Sequence, residues 1–582
     1  LKPRGPEGTS WLAQRSDGSF CWKREQDMPD NSETNVFAMG CSRLAIQDIS
    51  DQGLQPIPNK DKTIWVVLNG EIFNFVELRS ELEAAGHVFR TGTDTEVVVY
   101  AYEEWGIDCF RHFNGKFGIG IYDLNKRQMI LGRDRLGVTP LYFCLWDGRL
   151  AFASEIKALL KVEGLPREIN HHRLAATVGL PYKLHGVPGQ TMFRDIHQVM
   201  PGEILVFDEN LKMKRELYWH VDQFTPIAVN GFMEAREYLR ETLVDAINIR
   251  LRTSRRLAFI VSGGVDSPAV VGIASQRLDI EPETFSLDLP DDRFNENDSI
   301  REVIRFNGVK SHFIPVTAEV IKKFLPGVMA AADEPLPTPN GVLHGILANA
   351  INSEGFKVVL NGVGADEIFC GYHDHFLYFL NHWRTTKNPR YEYELKAWQK
   401  TPQRPIERYE KFCQFIETDE AEYNPDFLAR SGGFDYRTCL KKGYREKNIK
   451  YSPVFHHSDY SMRAKLVADM TRFNLPAALK MDDGCYMGSA VESRQPFLDY
   501  RLVDLGLSLP DHLRIRSGIS KFLLRSAVRG YIPASRRRDL RKIGLNLPID
   551  VWMRGTLKEW VEDNLCQKSN PVFKYADFQV TQ

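Results

Sequence analysis

The sequence predicts two globular domains of mixed class, an α+β layered domain followed by an α/β domain built on a parallel sheet. The chain has 582 residues, more than one ordinary hydrophobic core accommodates. Short β-rich runs dominate its first part, and strands alternate with helices after about residue 231. The pattern loosens between these parts, so we expect one domain at 1–215 and a second at 225–582.

Turn residues separate the β-rich runs of the first domain, and one helical stretch, Phe75–Ala85, interrupts them. Apolar and β-branched runs bounded by turns are typical of strands. Many strands with few helices predict a layered α+β domain. The runs are Ile64–Leu68, Phe117–Tyr122, Met129–Leu131 and Leu141–Phe143.

The second domain opens with an amphipathic helix, Phe232–Arg252, which leads into the apolar strand Leu257–Val261. Strand and helix patterns then alternate, which predicts a parallel sheet covered on both faces. Residues 391–451 lack a clear period, and we interpret them as a helical insertion or irregular structure. The alternating segments are a strand at Thr284–Leu289, a helix at Ser299–Phe306 and a strand at Lys357–Leu360.

The composition excludes several classes of partner. Lys plus Arg total 75 against 76 Asp plus Glu, so no excess of positive charge is available to hold nucleic acid or an anionic membrane. No apolar run approaches the roughly 18 residues of a membrane span. The 9 cysteines are scattered without a CxxC pair, which favours a reducing compartment, and we expect a cytoplasmic protein.

A glycine-rich turn, Val261–Ser267, follows the first strand of the second domain and precedes a helical pattern. Glycines let the backbone approach a phosphate group, and the amides, the serine hydroxyls and the helix N-terminus together form an anion cradle. No GK[ST] follows, so this is not a Walker loop. The SGGxDS pattern is that of enzymes that cleave ATP between the α and β phosphates. Its candidate ATP-binding residues are Ser262, Gly263, Gly264, Asp266 and Ser267.

A second glycine loop, Asn361–Glu367, follows the strand at Lys357–Leu360. Carboxylates flank both loops, at Asp266 and Asp366. Because Mg²⁺ prefers oxygen ligands, we expect these two carboxylates to hold Mg²⁺ against the leaving pyrophosphate. ATP and Mg²⁺ are therefore the expected cofactors.

With these loops, the later runs Val491–Asp499 and Arg541–Leu545 make the C-terminal part resemble the synthetase domain of the asparagine synthetase family. In that family a substrate carboxylate attacks the α-phosphate of ATP, and ammonia displaces AMP from the acyl-adenylate. The resemblance implies an ATP pyrophosphatase fold and assigns a role to several residues. Leu287 lies on the adenosine-binding strand, Gly362 and Asp366 face the nucleotide, and Lys542 stabilises the charge that develops on the leaving group.

The upstream part resembles a class II glutaminase domain, which has the αββα sandwich of N-terminal nucleophile hydrolases. The matching segments are Arg4–Glu7, Arg43–Ile46, Asn69–Asn74 and Thr91–Asp94. By this resemblance, the strand Arg43–Ile46 presents Arg43 to the glutamine carboxylate. Asn69 and the Gly70 amide form the oxyanion hole, and Asp94 takes the glutamine α-ammonium with help from Glu71.

The sequence departs from the family pattern at two places. Family glutaminases use a cysteine directly after the initiator Met as nucleophile, whereas this sequence starts near the Arg4 segment. We therefore expect that the opening strand and the nucleophile are not in the sequence shown. Val363 stands where many asparagine synthetases carry an active-site glutamate, and valine cannot move a proton. Either Glu492, His344 or His373 accepts the proton from ammonia, or ammonia arrives already neutral through an internal tunnel.

The prediction is a glutamine-dependent, ATP-consuming carbon–nitrogen ligase like asparagine synthase, with glutamine and a small carboxylate as substrates. Aspartate is the default acceptor. The run Phe369–Phe376 looks like homologues from bacterial surface-polysaccharide gene sets, so a uronic acid or a biosynthetic intermediate is the alternative. A β-lactam synthetase-like ligase that closes an intramolecular amide, with an inactive glutaminase domain, and a non-catalytic relative are further alternatives. The resemblance also allows a homodimer.

Overall fold

The structure is a computed structural model, and it describes residues 2–15, 17–24, 35–179, 189–401, 406–418, 436–449, 460–541, 544 and 546–581. The first part of the chain is rich in strands, as predicted. Its strands are β1 Thr9–Arg15, β2 Phe20–Arg24, β3 Asn35–Ser42, β4 Ile57–Pro58, β5 Ile64–Ile72, β6 Gly115–Asp123, β7 Gln128–Arg133, β8 Tyr142–Trp146, β9 Arg149–Ala153, β10 Ile196–Gln198, β11 Glu203–Phe207 and β12 Met213–Leu217. Its helices are α1 Phe75–Ala84, α2 Asp94–Trp105, α3 Cys109–His112, α4 Ile156–Leu159 and α5 His171–Gly179.

These strands form antiparallel sheets that pack face to face. The largest has the order β12-β11-β7-β6-β5-β4, and two smaller sheets, β2-β1-β3 and β10-β8-β9, cover one of its faces. Alternate residues of β5 divide between the two faces, because side chains of a strand point alternately up and down. Val66 and Leu68 pack under helices α1 and α2, whereas Trp65 and Val67 pack against the sheet of β1 and β3.

Helix α4 covers the outer face of the sheet β10-β8-β9, where Ile156 and Leu159 pack on Tyr142 and Cys144. The layers are therefore helix, sheet, sheet and helix. The predicted αββα sandwich is confirmed, and the β5–β6 register sets Asn69 opposite Gly118 and Gly70 opposite Phe117.

The second part of the chain holds a parallel sheet and many helices. Its strands are β13 Leu257–Ile260, β14 Glu283–Asp288, β15 Lys310–Pro315, β16 Val358–Leu360 and β17 Glu492–Arg494. Its helices are α6 Phe232–Arg250, α7 Asp266–Arg277, α8 Asn297–Asn307, α9 Ala318–Ala331, α10 Gly341–Ser353, α11 Ala365–Phe369, α12 His373–Thr385, α13 Tyr391–Gln399, α14 Ile406–Thr418, α15 Lys442–Asn448, α16 Met462–Thr471, α17 Asn474–Met487, α18 Tyr500–Ser508, α19 Asp511–Arg514, α20 Phe522–Ala527, α21 Ala534–Arg538, α22 Ile549–Arg554, α23 Lys558–Leu565 and α24 Phe578–Thr581. In the described ranges, none of the helices is long and apolar enough to cross a membrane.

The sheet has the order β15-β14-β13-β16-β17, with every neighbouring pair parallel. Helices α6 and α7 pack on one face and helices α9 and α10 on the other, so the predicted α/β domain is confirmed. The chain leaves β13 towards β14 on one side, and β16 lies on the other side. Loops that leave two such strands in opposite directions open a crevice at the carboxyl ends of the strands, where open α/β sheets bind ligands.

One local prediction differs from the structure, and another agrees with it. The segment Arg43–Ile46 was expected as a strand, but β3 ends at Ser42 and the following residues are irregular. Arg43 still pairs with the backbone of Glu7 and Gly8, but the Ala45 amide donates to the side chain Glu7 Oε2 instead of a neighbouring strand. The segment 391–451 contains helices α13, α14 and α15 in its described part, in agreement with a helical insertion.

Candidate functional site

One pocket of the first domain collects every residue that the sequence predicted to bind glutamine. It has a volume of about 150 Å³ and lies at the edge of β5, next to the second domain. The predicted residues that line it are Arg43, Asn69, Gly70, Glu71 and Asp94.

Asn69 and Gly70 have the geometry of an oxyanion hole. Gly70 has a φ of +122°, and a Cβ on it would lie 2.0 Å from the Lys116 carbonyl oxygen, so only glycine fits this position. The side-chain nitrogen of Asn69 is buried and has no hydrogen-bond partner within the described residues. A buried donor without a partner is costly, so this nitrogen is suited to receive an oxygen from a ligand.

Arg43 supplies the positive end of the pocket. Its Nη1 donates to the Ser50 carbonyl at 2.7 Å, and its Nη2 donates to the Asp48 carbonyl. Burial lowers the pKa of this guanidinium, although nearby Asp48 opposes that effect. Two backbone carbonyls thus fix a cation to which no carboxylate of the described residues makes a direct hydrogen bond, and such a group suits the carboxylate of an amino acid.

A cluster of carboxylates forms the opposite end. Burial raises the pKa of Glu71 well above its ordinary value, and it raises the pKa of Asp94 to about 6. Glu492, from strand β17 of the second domain, lines the same pocket and accepts from Arg494 Nε at 2.7 Å. Arg494 Nη2 also lies 3.5 Å from Glu71 Oε1. Three buried carboxylates share one arginine, so the cluster favours an additional cation such as the α-ammonium of glutamine.

The placement of Glu492 was not foreseen, because the sequence analysis considered it a proton acceptor in the nucleotide site. Glu492 is opposite Val358 in the sheet and two residues before the carboxyl end of β17. Its side chain faces the glutamine pocket. The motif Val491–Asp499 therefore lies at the interface between the two domains, and only the tertiary structure reveals this.

The nucleotide loops meet at the crevice beside β13 and β16. The Ser262 amide donates to Ser267 Oγ at 2.9 Å, which closes the first loop around its glycines. A Cβ on Gly362 would lie 2.6 Å from the Ser267 amide nitrogen, so the second loop contacts the first along its backbone. Leu287 is buried near the end of the adjacent strand β14. The structure thus brings the predicted ATP-binding residues into one crevice.

A lysine that the sequence analysis missed lies between the two predicted metal ligands. Lys521 Nζ is 2.5 Å from Asp266 Oδ2 and 2.5 Å from Asp366 Oδ1. The ammonium group of Lys521 lies between the two carboxylates. Both carboxylates can therefore contact the same positive charge. The two aspartates raise the pKa of Lys521 despite its burial. The sequence carries no signal for Lys521, because it is a single lysine distant in the chain from both loops.

The described residues contain no group of three or more His, Cys, Asp or Glu that could hold a metal ion. Mg²⁺ commonly uses one or two carboxylates together with phosphate oxygens and water, so Asp266 and Asp366 fit such an ion in the presence of a nucleotide. Lys542, the predicted charge-stabilising residue, lies outside the described residues.

Buried polar contacts join the glutamine pocket to the second domain. Arg250 Nη1 and Asn114 Nδ2 both donate to Asp499 Oδ2, at 3.0 and 2.9 Å. Burial alone would raise the pKa of Asp499, but Arg501, together with Arg250 and Asn114, holds it far below its ordinary value. Lys116 Nζ donates to the Ser493 carbonyl at 2.7 Å, one residue from Glu492. The interface is therefore an integral part of both sites, since β17 carries residues that contact each of them.

Comparison with known proteins agrees with this geometry. The sequence model of the family described as asparagine synthase matches residues 238–582, and that of the glutamine amidotransferase domain matches residues 21–219. The chain is 26% identical to asparagine synthetase [glutamine-hydrolyzing] 1 of Bacillus subtilis, over 97% of this chain and 90% of that protein. It is 30% identical to putative asparagine synthetase [glutamine-hydrolyzing] 2 of Methanocaldococcus jannaschii, over 64% of this chain and 71% of that protein.

Another relative carries a different name. The chain is 25% identical to amidase chyE of Penicillium rubens, over 96% of this chain and 88% of that protein. The family model alone covers more than half of the sequence. The chain therefore belongs to the asparagine synthase family and is a glutamine-dependent, ATP-using carbon–nitrogen ligase.

Proposed function

We propose that the protein adenylates a small carboxylate in the crevice beside β13 and β16 and amidates it with ammonia released from glutamine in the pocket of Arg43 and Asp94. Aspartate is the default acceptor. The observation that carries the proposal is the presence of both sites in one chain, each assembled and joined across a buried polar interface. An inactive glutaminase domain has no use for a pocket that retains the whole glutamine-binding set.

In the glutamine pocket, Arg43 binds the α-carboxylate and Asp94 with Glu71 binds the α-ammonium. These charges orient glutamine so that its side-chain amide carbonyl points at Asn69 and Gly70. The Asn69 amide and the Gly70 N–H then stabilise the oxyanion that forms when the amide carbonyl is attacked. We assign Glu492 a supporting part at the ammonium end, where it adds negative charge from the second domain.

In the nucleotide crevice, the amides and hydroxyls of Ser262, Gly263, Gly264 and Ser267 hold the phosphates of ATP. Leu287 packs against the adenosine, and Gly362 permits the close approach of the second loop. When bound between Asp266 and Asp366, Mg²⁺ supplies charge neutralisation for the departing pyrophosphate. Lys521 balances these two carboxylates in the absence of other cations, and Lys542 is proposed to stabilise charge on the leaving group.

The acceptor is the open part of the proposal. Val363 supports an acceptor other than aspartate, because it replaces the polar glutamate that the family resemblance places at this loop position. The relative amidase chyE carries a name other than asparagine synthetase, which is consistent with an acceptor other than aspartate. A uronic acid or a biosynthetic intermediate is therefore the second candidate, with the same chemistry.

We further propose that the domains divide between residues 215 and 225, so that the glutaminase part is 1–215 and the synthetase part is 225–582. The 9 scattered cysteines, none of them in a CxxC pair, favour a reducing, cytoplasmic environment. A homodimer stays a prediction, and the mass of the purified protein in solution tests it.

The test is pyrophosphate release by the purified full chain with ATP, Mg²⁺ and ammonium chloride. Aspartate, galacturonate, glucuronate and succinate are supplied one at a time, and the product is identified by mass. Amide formation with one acid, at one pyrophosphate per amide, supports the proposal and names the acceptor class. Pyrophosphate release that no acid stimulates would contradict it.

A further inference from the structure

A buried histidine–aspartate pair lies beside the second nucleotide loop and has no part in the two sites described so far. His344 is on helix α10 and Asp482 is on helix α17, and these helices pack against each other. His344 Nδ1 lies 3.9 Å from Asp482 Oδ1. The Asp482 side chain is 2% exposed, and that of His344 is 15% exposed. The pair is therefore nearly enclosed, with the imidazole more accessible than the carboxylate.

Hydrogen bonds connect Asp482 directly to the loop that carries Val363. Asn361 Nδ2 donates to Asp482 Oδ1 at 3.0 Å, and Asn361 Oδ1 accepts from the Val363 amide at 3.1 Å. Gln495 Nε2 donates to Asp482 Oδ2 at 2.6 Å. The side-chain amides of Asn361 and Gln495 thus fix the Asp482 carboxylate. Asn361 also accepts a hydrogen bond from the backbone of Val363.

The helix that bears His344 also contacts the segment after Lys542. Asn340, which precedes helix α10, accepts from the Leu547 amide at 3.2 Å and donates to Asn546 Oδ1 at 3.1 Å. His344 is therefore one helical turn from Asn340, which contacts the residues directly after the run Arg541–Leu545.

Amide formation requires a proton acceptor near position 363. When ammonia attacks the acyl-adenylate, its lone pair forms the C–N bond and the nitrogen becomes positively charged. One proton must leave this nitrogen before the C–O bond to the phosphate breaks and AMP departs with the electron pair. Val363 cannot take the proton, and Glu492 lies in the glutamine pocket.

We propose that His344 accepts this proton, with Asp482 as the positioning residue, in place of the glutamate that the family resemblance puts at position 363. The inference rests on the proposed function and deepens it. Asp482 faces Nδ1, so the proton is taken up at Nε2. The imidazolium then pairs with Asp482 until the proton passes to solvent. Acyl-adenylate and ammonia thus give amide, AMP and one proton.

The charge state of the pair suits this role. Burial lowers the pKa of His344, so the imidazole is neutral and able to accept a proton at neutral pH. His344 Nδ1 has no hydrogen-bond partner within the described residues, which leaves it available to close on Asp482 when the ring gains charge. Other titratable groups near the pair, among the described residues, are Lys116, Asp483, Cys485 and Tyr486.

A second acid–base pair in the crevice is a poorer acceptor. Tyr372 Oη donates to Glu367 Oε1 at 2.6 Å, and burial raises the pKa of Glu367 to about 7. Glu367 is therefore partly protonated at neutral pH. Glu367 is also next to Asp366 in the chain. A proton gained by Glu367 would remove negative charge beside Asp366 and so weaken cation binding at the phosphate side of the crevice.

The experiment separates adenylation from amide formation in His344→Gln. The full chain is assayed with ammonium chloride and the acid that is amidated in the panel above. Exchange of labelled pyrophosphate into ATP reports adenylation and serves as the test of the fold. We expect exchange within about threefold of wild type, and amide formation slower by about a hundredfold or more, as for loss of a general base. Hydroxylamine, a less basic nucleophile, should lose less rate than ammonia.

A control variant changes a different histidine, and a second variant tests whether a carboxylate at position 363 restores the activity lost in His344→Gln. His312→Gln removes a histidine that pairs with Glu283 in the same sheet, and it should leave both activities unchanged. The double variant with His344→Gln and Val363→Glu restores a carboxylate at the loop, and recovery of amide formation by tenfold or more supports the proposal. Amide formation by His344→Gln at the wild-type rate would overturn it, as would equal loss of exchange and amide formation. Absence of acid-dependent exchange in wild type would instead reject the proposed function.

Discussion

Asp94→Asn should stabilise the protein and at the same time abolish glutamine binding. Burial raises the pKa of Asp94 from 3.8 to about 6, so the folded protein holds this proton more tightly than the unfolded chain does. Ionisation of Asp94 therefore lowers the free energy of unfolding. This loss is complete above about pH 6, and it disappears as the pH falls towards 4. A shift of about two units, at 1.36 kcal/mol each, gives roughly 2–3 kcal/mol at pH 8 and about half of that at pH 5.

Thermal unfolding at pH 8 and pH 5 measures this effect. A gain of 2–3 kcal/mol raises the Tm of a domain of this size by roughly 5–10 °C. Addition of 10 mM glutamine should raise the Tm of wild type but not that of the variant, because a ligand stabilises only the folded state that it binds. Loss of one buried charge partner costs roughly 2–5 kcal/mol of binding, or at least about thirtyfold in Kd.

Asp51→Asn is the matched control. Asp51 is exposed and, in the part of the chain that the structure describes, pairs only with Arg24, so its neutralisation should change stability by no more than about 0.5 kcal/mol at either pH. A Tm of Asp94→Asn that is unchanged or lower at pH 8 would refute the account of the acidic cluster. Stabilisation of Asp94→Asn by glutamine to the wild-type extent would refute the assignment of Asp94 to the α-ammonium.

The remaining predictions concern backbone and charge in the two sites. Gly70→Ala should abolish glutamine-dependent synthesis and leave ammonium-dependent synthesis intact, because the added Cβ would lie 2.0 Å from the Lys116 carbonyl oxygen. Equal loss with both nitrogen donors would contradict this. Lys521→Met leaves Asp266 and Asp366 facing each other without their shared ammonium, so the variant should lose roughly 3–5 kcal/mol of stability and regain part of it with millimolar Mg²⁺. If Mg²⁺ raises the Tm of wild type and variant equally, these carboxylates do not form the cation site.

The sequence predicted the loops of both sites because their chemistry is local. Glycines with serine and aspartate at fixed offsets predicted the phosphate loop, and helix α7 begins at Asp266 as the helix that follows the strand. Gly70 was predicted from its motif, and its positive φ and the nearby Lys116 carbonyl explain why no other residue fits. Short motifs of this kind can be interpreted from the sequence alone, because their chemistry does not depend on contacts with distant segments.

The pairs that join distant segments were not predictable in the same way. Lys521 meets Asp266 across 255 positions of sequence, and Glu492 reaches the glutamine pocket only because β17 is the edge strand of the parallel sheet. His344 was one of three candidates for the proton acceptor. Its partner Asp482 became evident only from the packing of helices α10 and α17.

The first sheet was also missed at the sequence level. Strands β1, β2 and β3 pair in the order β2-β1-β3, whereas the strands predicted from the sequence begin only at Arg43. In β2, half-buried and exposed positions alternate, and Phe20 and Trp22 are among the exposed large apolar side chains. Such a strand has little hydrophobic contrast, because one face of an edge strand contributes little to a core.

Transfer of the glutamine amide nitrogen to the acceptor tests the two-site account most directly. The full chain is supplied with glutamine labelled with ¹⁵N at the side-chain amide, ATP, Mg²⁺ and the acid that is active in the panel, and the product is analysed by mass spectrometry. The account predicts an amide that carries ¹⁵N, with AMP and pyrophosphate formed in equal amounts. An unlabelled amide, or labelled ammonia released without ATP-dependent amide formation, would contradict it.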